Sequence, residues 1–225
     1  MSLPEPVLDL AADVVPAAED CGRLAFAYAH GALLSGFGDD DEVGLVCVWD
    51  QDTVPADAPR HADHLTRAGF DALLTGLRDH PGWGGGERSA LARVAEFAYG
   101  VLLADDEGAG TAARGAVGEF PSDLAQWCAT AFRQDRDDTA RQLATVVDYW
   151  ARAELLTTAL YRGYVTWFAA AERYFPGRRR RREYAEHFGM DTEVCELERR
   201  VWESPSAAEL GDNYRRFASR ILDEV

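Results

Sequence analysis

The chain contains no lysine, and all 23 of its basic residues are arginines. The absence of lysine excludes a Schiff-base mechanism on a lysine amine and a P-loop, which needs its lysine to reach the phosphates. Acidic residues number 39, so the net charge is −16. A surface of that sign repels nucleic acid, because nucleic-acid binders displace counterions with basic residues. We therefore expect no nucleic-acid partner.

Cysteine is scarce and long apolar runs are missing. The four cysteines stand far apart and form no CxxC pair, which argues against a structural zinc site. No apolar run reaches ~18 residues, the length of a membrane-spanning helix. The N-terminal stretch "MSLPEPVLDLAADVV" has no basic start and carries acids in its apolar part, unlike a signal peptide. We expect a cytoplasmic protein with reduced thiols and no membrane partner.

Hydrophobic periodicity predicts a first domain that mixes helices with strands. A helix opens the chain, and "RLAFAYAHG" alternates like a strand that ends in a glycine turn. "ALLSGF" fits one or two helical turns, and "EVGLVCVW" fits an interior strand because it is apolar on both faces. The stretch "ERSALARVAEFAY" predicts a helix, followed by a strand-like "GVLLADD". Between His61 and Arg78 a helix fits, with a short strand at "FDALLT" as the alternative.

After Pro121 the pattern changes to helices. Helical spacing dominates from residue 123 to residue 174, and a final helix follows with Ser206 or Ser204 as its N-cap. The predicted fold class is therefore α/β (α+β), a small mixed sheet domain at 1–120 followed by a helical bundle at 121–225.

The order of elements around the first turn resembles the polymerase-β-type nucleotidyltransferase superfamily. Its pattern is a strand, "hG[GS]", nine to thirteen residues, and "Dh[DE]h" on the next strand, to which "AYAHGALLSGFGDDDEVGLVCVW" is similar. Gly31 matches the motif glycine, Ala32 stands at the next position, and residues 42–45 fall in register with "Dh[DE]h". "YGVLLADDEGAG", "FPSDL" and "YFPGRRRR" also resemble bacterial members, including antibiotic-modifying nucleotidyltransferases. The resemblance covers most of the chain and implies a catalytic sheet domain with a helical bundle after it.

The sequence departs from that family where the family binds Mg²⁺. The resemblance implies two carboxylates at i and i+2 on one strand face and a third on a neighbouring strand, which hold two metals for phosphoryl transfer. Here Glu42 stands at the first position and Gly44 at the second, and Asp71 supplies the third only if "FDALL" is a strand. A shifted register with Asp40 and Glu42 leaves seven residues after the Gly-Ala pair, fewer than the pattern needs. We predict a degenerate site with no metal and no cofactor, and room for a ligand atom at Gly44.

Two side chains beside the turn are candidates for acid–base catalysis. A partly buried Glu42 would have a raised pKa and serve as a general acid or base, while an exposed position at the strand edge is the alternative. His30 suits a proton shuttle near neutral pH, or a structural hydrogen bond. Ser35 lies where the family's short helix receives a triphosphate. The candidates for substrate binding are Gly31, Ser35, Asp71, Tyr161, Tyr164 and Trp167.

Aromatic and arginine clusters in the second half allow two interpretations each. The aromatic residues from Trp150 to Tyr174 fit a bundle core, or the wall of a cleft for a flat or greasy small molecule; on a free surface they would suit a homodimer. The run Arg178–Arg182 could capture a phosphate or carboxylate, or form a solvated helix start paired with Glu183 and Glu186.

Three functions compete. The first is a nucleotidyltransferase-fold protein repurposed for metal-independent acid–base chemistry on a small, hydrophobic or polycyclic molecule, as in secondary metabolism. The second is an active nucleotidyltransferase that adenylylates a small molecule. The third is a non-catalytic small-molecule binder or partner subunit. The first ranks highest, because the order of elements around the pocket matches while the metal ligands do not.

Calorimetry with Mg²⁺-ATP separates the first two functions. Glu42 and Gly44 supply too few hard oxygens for two metals. We expect no tight Mg²⁺ binding without substrate and no ATP-dependent labelling of a small-molecule acceptor. Micromolar binding together with turnover would establish the ordinary nucleotidyltransferase instead.

Overall fold

The computed structural model describes residues 3–35, 43–79, 83, 90–118, 120–177 and 179–225. Its strands are β1 (Leu24–His30), β2 (Gly44–Trp49), β3 (Asp63–Thr66) and β4 (Val101–Ala104). Its helices are α1 (Glu5–Cys21), α2 (Ala32–Ser35), α3 (Arg67–Asp79), α4 (Ala90–Tyr99), α5 (Ala109–Val117), α6 (Ser122–Thr145), α7 (Tyr149–Ala170), α8 (Arg181–His187), α9 (Thr192–Trp202) and α10 (Ala207–Asp223).

The chain divides into two compact units. The first comprises Met1–Asp79 and Arg88–Glu119, and the second comprises His80–Glu87 and Phe120–Val225. The first contains the sheet and the second is helical, so the predicted fold class is confirmed. The division into domains at 1–120 and 121–225 stays a prediction.

The first unit is built on a mixed sheet with strand order β3-β2-β1-β4. Strand β1 pairs antiparallel with both β2 and β4, while β2 and β3 run parallel. The inner residues of β1 are buried on both faces, which accounts for the nearly continuous apolar run in its sequence. The strand ends at Gly31, whose φ of 126° suits glycine alone, so the predicted glycine turn is confirmed.

Each face of the sheet has its own core. On one face the rings of Phe26 and Tyr28 meet Phe70 of α3 and Phe97 of α4, with Tyr28 and Phe97 centroids 5.0 Å apart. On the other face α1 packs its Val14 and Ala18 side chains on the sheet residues Ala27, Leu45, Cys47 and Trp49. Burying one large apolar side chain stabilises a fold by roughly 1.5–3 kcal/mol, so these two cores fix the positions of the helices on the sheet.

The segment "FDALLT" is helical, so the alternative of a strand there is wrong. It lies in α3, and the strand of this region is the shorter β3 just before it. Thr66 ends β3 and accepts a hydrogen bond from the backbone N–H of Gly69 (3.0 Å) in the first turn of α3. A hydroxyl that satisfies an otherwise unpaired N–H of the first turn favours the start of a helix at this point.

The second unit buries most of the aromatic residues between Trp150 and Tyr174. Tyr161, Tyr164, Trp167 and Tyr174 are buried in it. Trp150 is 76% exposed, which contradicts the expectation that it belongs to the core. It stands in the first turn of α7, just after the N-cap Asp148, before the buried part of that helix begins. The final helix α10 starts at the N-cap Ser206, as predicted.

A fully buried carboxylate lies inside the second unit. Glu198 of α9 accepts hydrogen bonds from Tyr164 (2.7 Å), Arg181 (2.7 Å), Arg182 (2.9 Å) and Trp202 (3.3 Å). Burial alone would raise the pKa of Glu198, but the hydrogen bonds from Arg182 and Tyr164 and the charge of Arg181 outweigh it, so the pKa is lowered. Because removing one partner of a buried ion pair costs about 3–5 kcal/mol, this cluster holds α7, α8 and α9 in one arrangement.

Gly211 allows α10 to lie close to α6. A Cβ at this position would stand 2.6 Å from the carbonyl oxygen of Ala140 and 2.8 Å from the Cβ of Ala144. We expect Gly211→Ala to lower the free energy of unfolding by about 1–3 kcal/mol, because backbone must move to admit the methyl group. Denaturant titration measures the change.

Gly76→Ala is the matched control. A Cβ at Gly76, within α3, meets no atom within 4 Å. Alanine favours the helix over glycine by about 0.8–1 kcal/mol, so this variant should be more stable than the wild type. If the two variants changed stability equally and in the same direction, the close approach of α10 and α6 would not constrain the fold.

Candidate functional site

The candidate site lies at the end of the sheet where the last residue of β1 meets the first residue of β2. His30, the last residue of β1, pairs directly with Gly44, the first residue of β2. Directly opposed residues of an antiparallel pair project their side chains to the same face, so the imidazole covers the glycine. A Cβ at Gly44 would stand 2.4 Å from Nε2 and 2.6 Å from Cε1 of His30. The imidazole in its present place and a side chain at 44 therefore exclude each other.

This geometry corrects the expectation of open space at Gly44. The absence of a side chain at 44 leaves room that the ring of His30 occupies, so this room does not receive a ligand atom. A ligand at this end of the sheet meets the imidazole itself.

The environment of His30 favours the neutral imidazole. Burial lowers the pKa of His30, the charge of Arg93 lowers it further, and the carboxylate of Asp63 partly opposes them. Tyr28, two residues earlier on the same face, has its ring centroid 6.2 Å from that of His30. Burial and the nearby carboxylate of Glu96 raise the pKa of Tyr28, so its hydroxyl stays protonated. The site thus offers a neutral imidazole, which can accept a proton, while the Tyr28 phenol beside it is buried in the core.

The structure adds Asp63, which the sequence did not single out. The parallel register of β2 and β3 sets Asp63 beside Val46, two residues after Gly44. Because side chains alternate along a strand, Asp63, Val46 and Gly44 belong to one face of the sheet, the face of His30. Asp63 is exposed at the start of a strand of only four residues, too short to show periodicity. In the sequence, Asp63 could have been noticed as a carboxylate between the loop at Pro59 and the apolar Leu65.

The predicted residues of the first unit lie as follows. Glu42, with Asp39–Asp41, lies outside the described residues. Gly31 is the turn after β1, and Ser35 is the last residue of α2. Asp71 is exposed on α3 and pairs with Arg67 at 3.3 Å, so it is not a carboxylate on a neighbouring strand. Its assignment as a substrate-binding residue, like that of Gly31 and Ser35, stays a prediction.

The predicted aromatic residues belong to the second unit and bond to protein groups there. Tyr161 donates to the carbonyl oxygen of Trp83 (2.7 Å), and the indole N–H of Trp167 donates to Glu224 (2.6 Å). The hydroxyl of Tyr164 donates to Glu198. These bonds account for the buried polar ends of the three side chains, and their contact with a substrate stays a prediction.

The described residues contain neither a cluster of metal ligands nor a membrane-spanning helix. Among the residues the structure describes, no three histidine, cysteine, aspartate or glutamate side chains are grouped as ligands of one metal ion. In the same ranges, no helix combines the length and the apolar character that crossing a bilayer requires.

Comparison with known proteins gives a likeness in structure and none in sequence. No protein-family model matches the chain, and no curated protein matches it. The chain is similar to the crystal structure, at 1.90 Å resolution, of a nucleotidyltransferase-like protein from Exiguobacterium sibiricum 255-15. The two are 12% identical with a TM-score of 0.49, over 96% of this chain and 71% of the other. A likeness of this degree says nothing about activity, ligands or site residues.

The lowered pKa of His30 predicts how stability depends on pH. The folded state takes up a proton at His30 less readily than the unfolded state, so protonation favours unfolding. The contribution to stability is present above the ordinary histidine pKa of about 6.5 and is lost as the pH falls below it. We expect the wild type to lose more unfolding free energy than His30→Gln on acidification through this window. Urea titrations at a series of pH values measure it, and parallel curves for the two proteins would contradict the assignment.

Proposed function

We propose that the first unit binds a small molecule at the end of β1 and β2 and carries out metal-independent acid–base chemistry on it. The observation that carries the proposal is the position of the His30 ring over Gly44. The place of the second carboxylate in the resembling motif is taken by an imidazole, so the same corner of the sheet offers a base where a metal ligand would stand.

His30 suits the role of proton acceptor. A general base works best when its pKa lies near or below the working pH, because it must be unprotonated at the start of the reaction. Burial gives His30 that property, and Arg93 reinforces it. Asp63 on the same face stabilises the imidazolium that forms when the proton is taken, since its charge favours the protonated ring.

Glu42 is the proposed partner in the acid–base step. It stands two residues before Gly44 in the sequence, and the resemblance assigns its position to a carboxylate of the site. In this proposal Glu42 starts protonated and donates its own proton to the substrate, and exchange with solvent then restores both His30 and Glu42. Gly31 and Ser35 contact the substrate from the turn and α2.

An active nucleotidyltransferase is the second candidate. The observation in its favour is Asp63, a carboxylate on the strand next to β2 and on the face of Gly44. The family arrangement implied by the resemblance also has its third carboxylate on a neighbouring strand. This candidate requires Glu42 and Asp63 to hold metal without a carboxylate at 44.

Substitution of the two proposed acid–base groups tests the function. A melting-temperature screen of small molecules first identifies a ligand of the wild type, since a ligand of the folded state raises the melting temperature. With a ligand that is turned over, His30→Gln and Glu42→Gln should each lower kcat by about 10²–10⁴-fold, because each removes an acid or base and keeps polarity.

The control is His61→Gln, an equivalent change at an exposed loop histidine, which should leave kcat unchanged. Wild-type turnover in His30→Gln would remove the imidazole from the chemistry. Turnover that requires Mg²⁺ and ATP would decide for the second candidate.

A further inference from the structure

The arginine run at the start of α8 lines a cavity in the second unit, separate from the site of the first unit. The cavity measures about 520 Å³ and is bounded by Arg179, Arg181, Arg182, Glu186, Glu198 and Trp202, together with Glu183. A volume of this size admits a small organic molecule.

The sequence left open whether the arginine run pairs with neighbouring glutamates at a helix start or captures an anion. The described arginines of the run differ in this respect. Arg180 pairs with Glu183 at 2.7 Å, as the helix-start interpretation expects, but its side chain is only 11% exposed. Arg181 and Arg182 turn inward onto the buried Glu198. The side chains of these two remain 24% and 48% exposed, although the carboxylate between them is fully buried.

Glu198 holds the guanidinium of Arg182 in a fixed orientation. It accepts from the Nε of Arg182 (2.9 Å), and Arg182 itself lines the cavity. A guanidinium is a rigid planar fork that matches the oxygens of phosphate or carboxylate, and anchoring it in advance reduces the entropy lost on binding. The ring of Tyr164 lies 5.3 Å below the guanidinium carbon of Arg181 and restrains that arginine too.

The local charge is opposite to that of the whole protein. One buried carboxylate faces two guanidinium groups, so Glu198 offsets only one of the two positive charges. Glu183 is engaged by Arg180, while Glu186 adds a negative charge and Arg179 an exposed positive charge at the cavity. The four arginines 179–182 therefore exceed the three glutamates by one positive charge. With a net charge of −16, the chain repels long polyanions such as nucleic acids but admits a small anion to a local positive site.

We propose that the cavity lined by Arg179, Arg181 and Arg182 binds the phosphate group of a small phosphorylated molecule. The three arginines supply the donors for the tetrahedral oxyanion. The half-exposed indole of Trp202 supplies an apolar wall for the organic part. Glu198 is a positioning residue, which orients Arg181 and Arg182 and does not touch the ligand.

Inorganic phosphate is the probe. Titration calorimetry and thermal unfolding are recorded with phosphate, acetate and chloride at matched ionic strength. We expect phosphate to bind and to raise the melting temperature, while the other two anions do not. Arg179→Gln should weaken phosphate binding by about tenfold, since a hydrogen bond to a charged group is worth roughly 1.5–3 kcal/mol. The four hydrogen bonds to Glu198 described above come from other residues, so the loss of the Arg179 guanidinium leaves them in place.

Two further variants make the test specific. Arg182→Lys keeps the charge beside Glu198 but loses the fork, and should weaken phosphate binding while the fold, followed by circular dichroism, persists. Arg199→Gln removes the same charge from an exposed position that pairs with Glu196 and Glu203, and should bind as the wild type does. Equal responses to phosphate and chloride, or equal binding by the Arg179 and Arg199 variants, would overturn the proposal. Acetate binding as well as phosphate would overturn the assignment to phosphate.

Discussion

The pairing of β1 on both of its sides is the constraint on which the first unit depends. This strand is central in the sheet, its inner residues are buried on both faces, and its aromatic side chains anchor the helices α3 and α4. His30 is the last residue of the same strand and lies at the end of the sheet. Register and core are therefore coupled: a slip of one residue would move His30 and the core aromatics together to the opposite face. The packing of the core aromatics therefore also fixes the position of His30, the proposed base.

The second unit relies on a different kind of constraint. Glu198 draws two guanidiniums and a phenol together from α7 and α8, and the geometry of this cluster is set by hydrogen bonds of 2.7–2.9 Å. A buried charge needs its hydrogen-bonding partners, because a buried charge left without a partner carries the full cost of desolvation. The arginine run is for this reason part of the interior architecture as well as of the surface.

The sequence predicted those features that repeat along the chain. The alternation in β1, the apolar run in β2 and the helical spacing after Pro121 are local signals, and they yielded the fold class. Features that depend on pairing across the chain were missed. The conflict between His30 and position 44 exists only because two strands align those residues, and β3 is too short to show a pattern. The apolar stretch "FDALL" indicated a strand that would carry Asp71 as the third carboxylate, whereas the Thr66 hydroxyl just before it favours a helix there.

The second half shows the same limit. Trp150 has the helical spacing of its buried neighbours, but it falls in the first turn of α7, where a residue of that face is not yet covered. The inward turn of Arg181 and Arg182 depends on Glu198, which follows them by a full helix in the sequence. The sequence shows a run of arginines but does not show which of these arginines face a carboxylate.

The contact between His30 and Gly44 also limits how residues 30 and 44 can change during evolution. A carboxylate at 44 cannot enter while the imidazole stands in its place, so a single change at 44 strains the strand pair before it supplies any ligand. Either the ring of His30 turns away or a smaller residue replaces it, and in both cases the proposed base leaves its present place. A change toward a metal-binding strand therefore displaces the proposed base before it supplies a full set of metal ligands. Substitutions at positions 30 and 44, fourteen residues apart, therefore depend on each other.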